Sequence, residues 1–386
     1  MRPDPSSRLH TNYDRFERGR GLTRAHRVAF NAGETITCAA SSATANKAML
    51  KARAGPKTLR RSVNALAVVA AFLAVGAARA DEPLQRAALD LFGRIEAGSV
   101  STAEAELGRL LFWDTRLSAD GRTACASCHP APDWGADRRR FSRDARGELT
   151  SRQSPTVFNS MTQPSLRWLG DRKTGAEQAE GSLTGSLGFP SKEAGVEVIA
   201  KSGYLSAFQK AYPNDAEPLN ARNYGRALAA YEATLTTPSA FDRFLAGDDA
   251  ALTERQQTGL RAFIATGCAG CHNGALLGGV AMRRFGVVKN YWLETGSEKI
   301  DEGRFATTKK EEDRYVFRVP MLRNIAKTSP YFHDGSVERL DRAVRIMAAV
   351  QLGRTLDDAT VASIVAFLES LTGEVPAHYA PPAQGP

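Results

Sequence analysis

Two pentapeptides constrain this chain more than anything else in it: Cys125-Ala-Ser-Cys-His129 and Cys268-Ala-Gly-Cys-His272. In C-x-x-C-H, two thiols two residues apart reach the two vinyl groups of one porphyrin. The adjoining histidine then falls under the iron as its proximal ligand. C-x-x-C by itself also serves zinc and redox sites, but neither chemistry needs a histidine directly after both pairs. The motifs therefore predict two covalently bound c-type haems, held by Cys125, Cys128 and His129 and by Cys268, Cys271 and His272.

The 386 residues suffice for two domains of ordinary size. The formal charge of +9 invites a nucleic-acid reading, yet residues 1–80 hold 14 Lys+Arg against 4 Asp+Glu and account for all of it. The remainder is close to neutral, so no nucleic-acid partner is expected. Four of the five cysteines belong to the two motifs, and the fifth, Cys38, lies in the basic leader.

Lys57, Arg60 and Arg61 precede an apolar run from Val63 to Ala77 and then Ala78-Arg79-Ala80. This is the order of a secretory signal peptide, over about residues 57–80, with cleavage before Asp81. Haem attachment to C-x-x-C-H takes place outside the cytoplasm, which makes the periplasm the expected location. Met49 would give a leader of ordinary length, leaving residues 1–48 outside the translated chain.

Apolar residues recur at helical spacing over 83–97, 103–113 and 220–235. Thr253 and Gln256 form a T-x-x-Q capping box, and Gly267 ends that helix just before Cys268. Ser336 is expected to cap a helix carrying Leu340, Val344 and Met347, and residues 357–371 form a last helix closed by Gly373. The polar, Arg-rich stretch 130–155 reads as a long loop over the first haem, a length that usually signals a ligand site. The expected fold is mainly α, with two cytochrome-c-like domains of one haem each. Their spans are 81–240 and 241–375, with a seam at 238–249 and a tail at 376–386.

Beyond the haem motifs, Leu107-Gly-Arg-Leu-Leu-Phe-Trp-Asp-Thr-Arg-Leu-Ser118, Phe241-Asp-Arg-Phe-Leu245, Arg318-Val-Pro-Met-Leu-Arg-Asn324, Pro330-Tyr-Phe-His-Asp-Gly335 and Met347 before Gln351-Leu-Gly353 occur in order. Together they resemble the bacterial dihaem cytochrome c peroxidase family, which includes the MauG-type enzymes. The resemblance covers about residues 85–375. It implies a peroxidatic haem on His129 and an electron-entry haem on His272, with Met347 as sixth ligand. It also implies Trp168 as an electron relay between the haems and Gln178 in the peroxide pocket. A calcium ion between the domains would take Gln153, where the family commonly has Asn, and the backbone carbonyls of Thr328 and Pro330. MauG-type enzymes carry Tyr where Met347 stands, so the methionine favours a peroxidase.

Two departures matter. Ordinary dihaem peroxidases have a second histidine about twenty residues beyond the first motif, but no histidine of this chain lies between 129 and 272. The loop there reads Phe141-Ser-Arg-Asp-Ala-Arg-Gly147. The first haem is therefore expected to rest open. The family's pocket glutamate falls at Gly188, with Glu193 and Glu180 as the nearest replacements, and Arg143 or Arg146 as groups that could polarise peroxide. His333 reads as a structural or propionate-side residue and His378 as idle.

The leading expectation is a periplasmic peroxidase that reduces hydrogen peroxide to water with electrons from a small cytochrome c or copper protein. The alternatives are a MauG-like enzyme that oxidises side chains of a partner protein, and a non-enzymatic dihaem electron carrier. The resemblance also allows a homodimer.

Overall fold

The computed structural model describes residues 83–96 and 99–383. The leader, its cleavage point and Cys38 lie outside these residues. In chain order the helices are α1 (Leu84–Phe92), α2 (Thr102–Trp113), α3 (Cys125–Cys128), α4 (Gly175–Ser182), α5 (Lys192–Lys201), α6 (Leu205–Ala211), α7 (Ala221–Ala233), α8 (Ala240–Leu245), α9 (Glu254–Thr266), α10 (Tyr291–Thr295), α11 (Phe305–Thr308), α12 (Leu340–Leu352) and α13 (Asp358–Glu369). Among the described residues the strands amount to one antiparallel pair, β1 (Met282–Arg284) and β2 (Val316–Arg318). The protein is thus mainly α. No helix among the described residues is long and apolar enough to cross a membrane.

Local caps set the helix starts. Asn220 accepts from the Asn223 amide at 2.8 Å to open α7. Thr253 and Gln256 exchange bonds of 2.9 and 3.3 Å to open α9. Gly267, with φ 100°, ends α9 in the left-handed region, where a side chain would be strained. Asp357 accepts from Thr360 at 2.7 Å and opens α13.

The same helix crossing is built twice. A β-carbon at Gly108 of α2 would lie 1.9 Å from the Ala227 carbonyl oxygen of α7 and 2.8 Å from the Tyr231 Cβ. One at Gly259 of α9 would lie 1.8 Å from the Ser363 oxygen of α13 and 2.9 Å from the Phe367 Cβ. In both places glycine lets two backbones touch, with an aromatic residue one turn further on closing the contact. Each crossing lies beside one C-x-x-C-H motif and its own apolar core. Cys125 packs on the first core and Cys268 on the second.

The packing departs from the boundaries read along the chain. Helix α1 does not join the core of residues 103–240. Its Ala88 and Phe92 are buried in the second core, with the Phe92 ring 5.7 Å from that of Phe241, and Arg94 donates to the Leu245 carbonyl at 2.7 Å. The tail runs the other way. Tyr379 is 2 % exposed in the first core, its ring 4.8 Å from Phe158. A buried aromatic of this size stabilises by about 2–3 kcal/mol, so α1 and the segment around Tyr379 each close the opposite half. The segment 238–249, expected as a seam, contains α8 with Phe241, Phe244 and Leu245 fully buried. Its start signal is Ser239 with Asp242, whose carboxylate accepts from the Ser239 amide at 2.8 Å.

Two expected helix ends also move. Ser336 caps nothing, because its amide donates to Asp334 and α12 begins only at Leu340. Gly373 does not close α13, which ends at Glu369. The Gly373 amide instead donates to the Asn324 side chain at 3.0 Å and steers the tail back to the first core.

Candidate functional site

The second motif is complete. His272 is buried, and its Nδ1 donates to the Leu277 carbonyl at 3.1 Å, which leaves Nε2 as the ring's lone-pair nitrogen. Burial pushes its pKa down, so the ring is neutral, as an iron ligand must be. Burial also pushes the Cys268 thiol up to about 11. Helix α12 turns Leu340, Val344 and Met347 onto the cavity that Cys268, Cys271 and His272 line. Gln351, one turn after Met347, accepts from the Gly286 amide at 2.6 Å and donates to the Arg284 carbonyl at 3.0 Å. The Met-to-Gln spacing thereby pins a loop against the helix that carries Met347.

Trp168 lines this same cavity. Its Nε1 donates to the Gln153 carbonyl at 2.8 Å, its own carbonyl accepts from the Arg318 amide at 2.7 Å, and its ring meets His333 edge-on at 6.3 Å. The Gln153 amide in turn donates to the His333 carbonyl at 2.8 Å. Gln153, Thr328 and Pro330 all line the cavity near this network. The Gln153 carbonyl accepts from Trp168, and its side chain makes no hydrogen bond among the described residues. Among the described residues no three His, Cys, Asp or Glu side chains gather as a metal site. His333 stacks on Phe317 at 4.3 Å inside an aromatic box, and burial pushes its pKa down.

The first motif is built differently. His129 donates Nδ1 to the Gly135 carbonyl at 2.8 Å, and burial lowers its pKa as well. Its carbonyl accepts from the Tyr379 hydroxyl, so the tail reaches His129 itself. His378 is exposed and bonded to Thr234 at 2.9 Å. Burial raises the Cys125 thiol to about 12. The two thiol pairs sit against separate cores, which rules out one four-cysteine zinc site.

Gln178 projects from α4 with its Oε1 buried and without a partner. Such an atom costs about 1–3 kcal/mol unless a ligand pairs it. Glu193 does not join it. It is exposed in the first turn of α5, where its own amide and the Ser191 hydroxyl draw its carboxyl below the usual range. Glu180 is tied to Lys192 at 2.5 Å. Gly188 has φ 78° and packs on Ala145, so the family's glutamate position is here a left-handed turn that disfavours any side chain. Arg143 bonds the Gly147 carbonyl and Arg146 pairs with Asp144 at 2.6 Å, so both arginines brace their own loop.

Sequence reasoning missed Glu232. It lies in the last turn of α7, its charge is felt at the Cys125 thiol, and it makes no ion pair among the described residues. Burial raises its carboxyl to about 8. Its neighbours Leu228, Tyr231 and Leu235 read as a plain apolar stripe, and nothing local marks it. The helices α4 and α5 were also missed, although Thr174 with Glu177 and Ser191 give start signals: Thr174 accepts from Glu177 at 3.0 Å and Ser191 from Ala194 at 3.2 Å.

Both motifs fit a covalent haem. Each supplies two free cysteines for vinyl addition and one histidine held by its Nδ1. The cavity of the second motif also keeps enclosed polar atoms that make no hydrogen bond, Arg323 Nη2 and His333 Nε2.

Residues 102–250 match the family model described as di-haem cytochrome c peroxidase. The chain is 44% identical over 283 residues to a cytochrome c551 peroxidase of Pseudomonas aeruginosa, covering 72% of this chain and 81% of that one. It is 37% identical over 324 residues to a cytochrome c551 peroxidase of Nitrosomonas europaea, covering 83% and 93%. Among solved structures, a MauG-like protein associated with microbial copper homeostasis superposes with a TM-score of 0.66 at 26% identity, over 75% of this chain and 96% of that one. With relatives this similar over most of their own length, the chain belongs to the di-haem cytochrome c peroxidase family.

Proposed function

We propose that the exported protein reduces hydrogen peroxide to two waters in the periplasm, consuming two electrons and two protons. A small cytochrome c or copper protein would supply the electrons. The haems, when bound, supply the redox chemistry, and the protein supplies ligation, spacing and proton delivery. The residues divide the work. His272 and Met347 hold the electron-entry site. Trp168 bridges it to the loop that follows the first motif. His129 holds the peroxidatic site, Gln178 offers its amide there, and Glu232 keeps a proton beside it. Residues 103–240 and 241–371 form the two haem domains, with α1 and the tail exchanged between them. Calcium would rest on the Gln153 amide oxygen and the Thr328 and Pro330 carbonyls.

The observation that carries this reading is the asymmetry of the iron sites. His272 shares its cavity with Met347, whereas His129 has no histidine within the following 142 residues to close its iron. The test is steady-state oxidation of reduced cytochrome c by peroxide with the haem-loaded protein. Catalytic oxidation supports the peroxidase. Peroxide consumption without cytochrome turnover, yielding a long-lived oxidised protein, supports the MauG-like alternative.

The Glu232 assignment has its own check. A carboxyl held near pH 8 gives a contribution to stability that is complete below its ordinary pKa and is lost as the pH rises through 8. Glu232→Gln should match the wild type at about pH 5 and exceed it by a few kcal/mol above about pH 8. Denaturant melts across that range would read this, and parallel curves would refute a protonated Glu232.

A further inference from the structure

Two arginines are buried among the described residues, Arg318 at 4 % exposure and Arg323 at 1 %. Arg323 has an acid, the Asp242 carboxylate at 2.7 Å. Arg318 has none among the described residues. Its Nε donates to the Arg167 carbonyl at 2.8 Å, and its Nη1 donates to the Gln163 side chain. Its Nη2 makes no hydrogen bond among the described residues. Both partners are neutral, so the charge is solvated by dipoles but not balanced. An uncompensated buried charge costs several kcal/mol. Burial lowers the guanidinium to about 10, which still leaves it cationic at neutral pH. A protein that keeps such a group has an anion for it.

Where Arg318 lies says which anion. It lines the cavity that also holds Cys268, Cys271, His272 and Met347, at the end of strand β2. A haem attached through its vinyl groups to two thiols presents its two propionates on the opposite edge of the ring. Those carboxylates are the only anions that the bound group brings into an otherwise largely apolar space. A guanidinium matches a carboxylate with paired donors.

We propose that Arg318 receives a propionate of the second haem and so ties that haem to the turn carrying Trp168. The second half of this statement follows from the bonds already described: the Arg318 amide holds the Trp168 carbonyl, and its Nε holds the carbonyl of the preceding residue. One residue therefore grips the Trp168 turn while its guanidinium lines the cavity that would hold the haem. The proposal rests on the reading that the second motif carries a haem, and it deepens that reading by naming a positioning residue for it.

The test is a spectroelectrochemical titration of the haem-loaded protein, with haem content counted first as the pyridine haemochrome. Two c-type haems per chain in wild type and variant confirm that the site is loaded. A chain that binds only one haem overturns the haem assignment itself, separately from the role of Arg318. In a loaded protein, Arg318→Gln removes a positive charge next to the ring, which favours the ferric form. The midpoint potential of the second haem is expected to fall, while that of the first stays put. Arg318→Lys keeps the charge and is expected to restore most of the drop. An unchanged midpoint in Arg318→Gln would overturn the proposal. Should the glutamine variant fail to load haem, Arg318→Lys decides. The propionate carboxylate band in its redox-induced infrared difference spectrum is expected to shift from that of wild type, since the forked contact becomes a single point charge. A band in the wild-type position would contradict the pairing.

Discussion

Met347→His will lower the midpoint potential of the second haem by roughly 0.1–0.3 V, a fraction of the ~0.8 V over which axial ligands tune haem iron. Methionine is a weak, soft ligand that favours ferrous iron, whereas a second imidazole stabilises the ferric form. Met347 shares the cavity of His272, and its helix is fastened by the Gln351 bonds to the Gly286 amide and the Arg284 carbonyl. The substitution should therefore change the ligand without moving the backbone. Turnover with reduced cytochrome c should fall at least about tenfold, because electron entry becomes uphill. Reaction of the fully ferric protein with peroxide should keep its rate, because the proposed mechanism puts that reaction at the His129 site. Redox titration and single-turnover kinetics on one preparation would separate the two effects. Equal loss of both would mean that Met347 serves the fold and not the iron.

Trp168→Leu will slow turnover by about tenfold or more while leaving the midpoint potential of the second haem close to wild type. The ring lines the second cavity, and its Nε1 anchors it to Gln153, which belongs to the loop leaving the first motif. Leucine fills part of the space but removes both the hydrogen bond and the aromatic path. Losing the hydrogen bond costs about 1 kcal/mol, which a protein of this size absorbs. A rate change without a change in potential marks a relay. A fall in both would mark a residue that only positions the haem. The measurement is internal electron transfer after rapid reduction of the second haem.

What could be read from the sequence was what depends on neighbours in the chain. The haem motifs are legible because thioether chemistry demands its residues within five positions. The caps at Asn220, Thr253 and Asp357 are legible because a cap and its partner are three residues apart. The exchange of α1 and the tail between the two cores was not legible. Phe92 and Tyr379 are ordinary apolar residues whose partners, Phe241 and Phe158, are more than a hundred residues away. Nothing in the local sequence marks Gly108 and Gly259 as required, and only the crossing with a second backbone shows that they are. For the pocket acid, position counting led to Glu193, which is exposed. Glu232 was hidden because a single carboxylate at the end of an amphipathic helix ordinarily faces water. Gly188 was read as a missing acid, and its φ of 78° shows a turn that packs against Ala145 and Arg146 in the loop that lacks a histidine.

The most direct test of the account is stopped-flow absorbance of the fully ferric, haem-loaded protein mixed with peroxide, with and without reduced cytochrome c. The account predicts rapid reaction with no prior reduction, followed by catalytic oxidation of the cytochrome when it is present. A ferric protein that stays inert until one haem is reduced would contradict the open His129 site on which the proposed mechanism rests.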